Sequence, residues 1–182
     1  MKVDLRNVSI SRRKASIFRR KWFPPLFWGL LVLAVDLASK DAARRNFSPW
    51  EPKVVIDGFF NLILTYNVGA AFGLFSGGGG ADQGLKMAAV AAVSVLPFIY
   101  FYVKARPSDR TLLSGLGLIW GGALGNIHDR FRWGAVVDFL DFYRGDYHWP
   151  AFNVADIAIC LGAAALALSV LREERPRPPG SV

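Results

Sequence analysis

Four long apolar segments in a strongly basic chain predict an all-α membrane protein, four transmembrane helices with a small extracytoplasmic β-rich cradle between helices one and two. The chain has 182 residues, is 53% hydrophobic and carries a formal net charge of +8. A nucleic-acid binder of this charge would interleave its basic residues with a soluble fold. Here they crowd the ends of the apolar runs, so the expected partners are membrane lipids and no nucleic acid. Cys160, the single cysteine, lies inside an apolar run, which rules out an internal disulfide framework. Two histidines and one cysteine are too few for a closed zinc site without several carboxylates. No metal and no cofactor are expected.

The first span is Trp22 to Ala38, preceded by a basic head that contains Lys2, Arg6, Arg12, Arg13, Lys14, Arg19, Arg20 and Lys21. A basic lead before an apolar run also describes a secretory signal peptide, but three further spans and a 21-residue head favour an uncleaved helix. The stretch from Lys53 to Phe75 is rich in β-branched and aromatic residues broken by Gly and Asn, and reads as short strands on the membrane surface. The run Gly77 to Gly80 lacks the Lys-Ser/Thr ending of a phosphate loop and reads as a flexible turn. Spans two to four are Met87 to Val103, Thr111 to Ile127 and Phe152 to Leu171, each near the roughly 20 residues a helix needs to cross the hydrocarbon core. In span three, Gly117, Gly121 and Gly125 form overlapping small-xxx-small steps with Gly122 beside them, a seam along which neighbouring helices approach closely. The domain reading is a cytoplasmic tail 1–21, a membrane domain 22–171 and a cytoplasmic tail 172–182, both tails being disordered or held to the surface by anionic lipid.

Basic residues flank three cytoplasmic positions: the head, the connection bearing Lys104, Arg106 and Arg110, and the tail after Leu171 with Arg172, Arg175 and Arg177. With that orientation the polar residues collect at one leaflet. Asp36 and Lys40 fall at the outer end of helix one, Asn126, Asp129 and Arg130 at that of helix three, and Asn153 and Asp156 at that of helix four. Asn126 and Arg130 continue the glycine row at i, i+4 spacing. Asp138 lies in the outer connection that follows helix three, with Trp133, Tyr143, Tyr147 and Trp149 suited to the interface.

The cluster narrows the chemistry. Ser94 and Ser114 sit towards the far side of the bilayer, and His128 and His148 have no partner serine, which argues against a serine protease. The two histidines are twenty residues apart, unlike a helical His-Glu-x-x-His pair. Carboxylate chemistry remains, with two aspartates sharing one proton, one as base on a water and the other polarising a carbonyl. Asp138 and Asp156 are the candidates.

The motifs "VDLASK", "NVGAAFG", "GGALGNIHDR", "GAVVDF" and "FNVAD" occur in an order and spacing that resemble the lipoprotein signal peptidases, the signal peptidase II family. The resemblance covers about Trp22 to Leu171. It implies an aspartic endopeptidase of the bacterial inner membrane that removes signal peptides from prolipoproteins just before a diacylglyceryl-modified cysteine. It also implies Asp138 and Asp156 as the catalytic dyad, with Asp36, Lys40, Asn67, Gly122, Asn126, Arg130 and Asn153 lining or supporting the site.

Plainer readings stand beside these. Asp156 alone could cap a helix end, and Asp138 alone could be a solvated loop charge. Asp36 and Lys40 could be a simple i, i+4 ion pair worth about 0.3 to 0.5 kcal/mol where exposed. Asn67 could be a turn residue before Gly69. Asp129 reads as structural, Asp141 and Asp146 as surface charges, and His128 has no assigned role. Two other function classes compete, a small transporter whose outer carboxylates bind cations and a non-catalytic lipoprotein-binding relative. A transporter would line its pore with polar residues, whereas helices two and four are nearly free of them below the outer leaflet. A monomer is expected, because no long apolar face lacks an intrachain partner.

Overall fold

The computed structural model describes residues 5–68 and 96–173, with side-chain surroundings from residue 20 onward. Helix α1 is Leu5–Asn46, residues 96–104 form the described part of α2, α3 is Arg110–Trp133 and α4 is Val154–Glu173. Four antiparallel strands, β1 (Lys53–Ile56), β2 (Phe60–Asn67), β3 (Val136–Arg144) and β4 (Tyr147–His148), form one sheet in the order β1-β2-β3-β4.

Arg20–Asn46 of α1 and Val154–Arg172 of α4 are long and apolar enough to cross a membrane. Phe23, Leu26, Phe27 and Leu30 on α1, and Leu161 and Leu171 on α4, stand exposed. Apolar surface on this scale is expensive in water and natural against lipid. Helix α1 also runs back through the basic head to Leu5. Arg and Lys are good helix formers, so the composition that favours disorder does not prevent a continuous helix, and residue 21 is no element boundary.

Helix α3 is the hub, packed against α1 on one face and α4 on another. Its glycines make this possible. A Cβ on Gly117 would fall 2.6 Å from the carbonyl oxygen of Pro25, and one on Gly122 would fall 2.5 Å from that of Ala155, so only a bare backbone allows both approaches. At one end of the bundle Leu112, Leu113, Leu116 and Ala105 bury an apolar cluster against Phe98, Phe101, Tyr102 and Leu166. At the other end Asp36, Lys40, Asn126, Asp129, Asp138 and Asn153 are buried among apolar residues such as Leu64, Val137 and Phe139.

The sheet corrects two expectations. The fold is not all-α, and the β-rich cradle does not belong to the connection between helices one and two alone, because β3 and β4 come from the connection between α3 and α4. The reason is that β2 presents an edge whose N–H and C=O groups need partners, and "VVDFLDFYR" has the β-branched and aromatic content to supply them. Gly134 turns the chain from helix to strand, adopting φ 71° and donating its N–H to the Arg130 carbonyl at 3.0 Å. The strand reading of Lys53 to Phe75 holds through Asn67. The Gly77 to Gly80 turn and most of the second apolar segment lie outside the described residues.

Candidate functional site

Where β3 begins, Asp138 is 2% exposed, opposite Thr65 of β2. Two residues along β2, Asn67 donates its Nδ2 to Asp138 Oδ2 at 3.1 Å. The segment before α4 docks on β3 from the other side: Phe152 accepts from the Phe139 and Leu140 amides and donates to the Leu140 carbonyl. That docking delivers Asn153, fully buried, to Asp138 Oδ1 at 2.7 Å.

Asn153 is also the N-cap of α4. Its Oδ1 accepts from the Asp156 amide at 3.0 Å, while Asp156 Oδ2 accepts from the Asn153 amide at 3.2 Å. This reciprocal pair is a capping box built from Asn and Asp, which satisfies two otherwise orphaned donors. The amide between them, Ala155 N–H, donates to Asp36 Oδ1 at 2.9 Å. Asp36 of α1 thus caps α4 from a distance of 119 residues in sequence.

From α3, Asn126 donates to Asp156 Oδ1 at 2.9 Å and accepts from Lys40 Nζ at 2.9 Å. Lys40 lies between two carboxylates, 2.7 Å from Asp36 and 3.1 Å from Asp129. Asp129 accepts from the Val137 amide at 3.1 Å, holding the strand that carries Asp138. Arg130 reaches back to the Asn126 carbonyl at 3.2 Å. The structure therefore brings Asp36, Lys40, Asn67, Asn126, Arg130, Asn153, Asp138 and Asp156 into one connected cluster, with Gly122 setting the approach of α4 below it.

The electrostatics follow from burial. Loss of solvent pushes the Asp138 carboxyl up to about 6 from an ordinary 3.8. Hydrogen bonds from Asn67 and Asn153 and the charge of Lys40 oppose that rise, and the charge of Asp156 reinforces it. Asp138 thus keeps its proton to a higher pH than a solvated carboxyl does. Asp156, partly exposed, has both oxygens engaged by N–H donors.

Other sequence readings divide. Asp146 is exposed as expected. Asp141 is not a surface charge: it is 3% exposed, 2.9 Å from His148 Nδ1 and 3.1 Å from Asn61 Nδ2. The strand pairing buries it, and β4 brings His148 back over it. A lone Asp in a loop carries no local sign of this pairing. Asp36 and Lys40 do form the i, i+4 pair, but buried and joined to Asp129 rather than exposed.

Membrane-length helices with outward apolar surfaces, gathered around a buried acidic and amide cluster, describe a membrane enzyme. Solved structures agree. The chain superposes on a bacterial membrane enzyme determined in meso at 2.3 Å with a TM-score of 0.72 and 25% identity, over 87% of this chain and 93% of that one. A second bacterial membrane enzyme, determined at 1.9 Å, matches with a TM-score of 0.66 and 27% identity over 82% and 93%.

Residues 29–172 match the family described as signal peptidase (SPase) II. Lipoprotein signal peptidases from Oleidesulfovibrio alaskensis and Geobacter sulfurreducens are 43% and 42% identical over 86% of this chain, covering 99% and 96% of their own lengths. One from Ralstonia nicotianae is 43% identical over 84% of this chain and 86% of its own. The chain belongs to the signal peptidase II family of proteases.

Proposed function

We propose that this protein is an aspartic endopeptidase that cleaves the signal peptide from diacylglyceryl-modified prolipoproteins just before the lipidated cysteine, with Asp138 and Asp156 as its catalytic dyad. The observation that carries the assignment is the double engagement of Asn153, which donates to Asp138 and forms the capping box with Asp156. One residue thereby couples two carboxylates supplied by different elements.

In this mechanism Asp138, whose burial raises its carboxyl to about 6, acts in its protonated form and polarises the scissile carbonyl. Asp156 takes the proton from an attacking water, and the developing oxyanion is met by the Asp138 hydroxyl. Breakdown of the tetrahedral intermediate returns a proton to the leaving amine and restores the shared-proton state. Asn67, Asn126 and Asn153 hold the two carboxyls in place. Lys40, Asp36 and Asp129 tie α1 and β3 to the α4 cap, Gly122 lets α4 approach, and Arg130 braces the end of α3.

The same reading gives the chain four transmembrane helices in the bacterial inner membrane, with both termini cytoplasmic and the dyad near the outer leaflet, where a membrane-anchored signal peptide presents its cleavage site. The four-stranded sheet then lies as a cradle on the outer surface, and the chain acts as a monomer among membrane lipids. What supports this reading is the flanking Lys and Arg pattern and the gathering of the polar residues at one end of the bundle. The direct test is cleavage of a diacylglyceryl-modified prolipoprotein by the purified protein, comparing wild type with Asp138→Asn and Asp156→Asn. Each variant should remain folded by thermal unfolding and lose at least about 10³-fold in rate. A folded variant that still cleaves removes that aspartate from the dyad.

A further inference from the structure

Lys40 and Asp129 face a second space besides the dyad cluster. They help line a cavity of about 410 Å³ between the ends of α1 and α3, whose wall also carries Arg44, His128, Arg132 and Trp133. Neither Asp138 nor Asp156 lines it.

The charges of this cavity do not cancel. Lys40 is matched by Asp36 and Asp129, and the exposed Arg45 by Asp41 at 2.8 Å. Arg44 and Arg132 have no carboxylate partner among the described residues. Both nevertheless converge on one indole: the Arg44 guanidinium lies 3.5 Å from the Trp133 ring centroid and that of Arg132 lies 4.8 Å from it. Two like charges sharing one ring repel each other, and a bound anion would relieve that repulsion. Arg44 Nε is buried with no hydrogen-bond partner, whereas His128 Nδ1 lies 3.5 Å from Asp129 Oδ1, so the neighbouring carboxylate faces the histidine and leaves both arginines uncompensated.

The kind of anion follows from the donors and the setting. Guanidinium forks match the paired oxygens of phosphate, a geometry that Lys cannot reproduce. Phe131 and Trp133, 77% and 38% exposed, flank Arg132 at the helix end, as aromatic side chains do at the depth of phospholipid headgroups. We propose that this cavity is a phosphate site, with Arg44 and Arg132 clasping the oxygens beside Trp133, which takes either the phosphodiester of a phospholipid headgroup or free phosphate. The site is separate from the dyad yet linked to it, since Lys40 in its wall donates to Asn126, which donates to Asp156.

The test uses the purified full chain in neutral detergent. Dihexanoyl phosphatidylglycerol, dihexanoyl phosphatidylcholine and inorganic phosphate are each titrated while the thermal unfolding midpoint is followed. Wild type should show saturable stabilisation by a phosphate compound. The affinity should fall at least ~10-fold in Arg44→Gln/Arg132→Gln and be partly recovered in Arg44→Lys/Arg132→Lys, which keeps the charges and restores folding if the Gln pair disturbs it. Tighter binding of phosphatidylglycerol than of inorganic phosphate assigns the site to a headgroup, and equal or tighter binding of inorganic phosphate assigns it to free phosphate. No saturable stabilisation of wild type by any of the three, or an unchanged affinity in the folded Gln pair, overturns the proposal.

Discussion

Asn153 and Asp138 hold the hydrogen bonds on which the proposed dyad depends. Asn153→Ala removes the α4 cap and a donor to Asp138 in one step. Loss of the cap alone costs about 1 kcal/mol, and the lost Asp138 partner adds to it. The expected outcome is a lower unfolding midpoint together with a rate loss larger than the stability loss explains, measured on the same preparation. Asp138 makes stability depend on pH. Unfolded, it ionises near 3.8; folded, it holds its proton to about 6. The folded state therefore binds more protons between these values, so its stability is greatest below 3.8 and falls as pH rises through about 6, a difference of about 3 kcal/mol from this group. The unfolding midpoint of wild type should drop more between pH 4 and pH 7 than that of Asp138→Asn. Parallel curves for the two proteins would remove burial of Asp138 as the cause. At this scale a capping role for Asp156 was legible as a local signal, whereas its reciprocal partner Asn153 emerged only from the structure. The burial of Asp141 under His148 was not, because it depends on a strand pairing that no local pattern announces.

Among the elements, α3 decides the geometry. Its glycine seam was visible as spacing, and the structure shows what each face serves: Gly117 admits α1 and Gly122 admits the first turn of α4. A Cβ at Gly122 would meet the Ala155 carbonyl at 2.5 Å and Ile159 Cγ1 at 2.9 Å, so Gly122→Ala must push the α4 cap away from Asn126. We expect a stability loss of about 1 to 3 kcal/mol and a loss of roughly 100-fold in kcat/KM, read by thermal unfolding and by the cleavage assay. Retained kcat/KM would show that the cap tolerates the shift. The sheet teaches the complementary lesson. Strands β1 and β2 could be read from composition, but β3 sat in a stretch that read as an interfacial loop. Its pairing with β2 joins residues about 70 to 80 apart, for example Asn67 with Val136 and Asn61 with Asp141.

For the whole molecule the open expectation is orientation. On a Cys160→Ala background, Ser108→Cys should stay unlabelled by a membrane-impermeant maleimide added from outside the inner membrane, while Asp146→Cys should react. The reverse pattern would invert the proposed topology and place the dyad at the cytoplasmic face. The exposed apolar surfaces of α1 and α4 agree with lipid on the outside, and an apolar cluster around Leu113 and Leu116 packs the end of the bundle opposite the polar one.

Residue order was enough to establish the apolar segments, the basic flanks, the glycine seam and the short motifs of the family, because each is a local pattern with a local physical cause. It also placed the polar residues at one end once the helices were oriented. Tertiary structure alone decided that Asp36 caps a helix 119 residues away, that Lys40 bridges two carboxylates, that Asp141 is buried, and that two arginines share Trp133. Each of these depends on which faces meet when the helices pack and when the connections α1–α2 and α3–α4 join into one sheet.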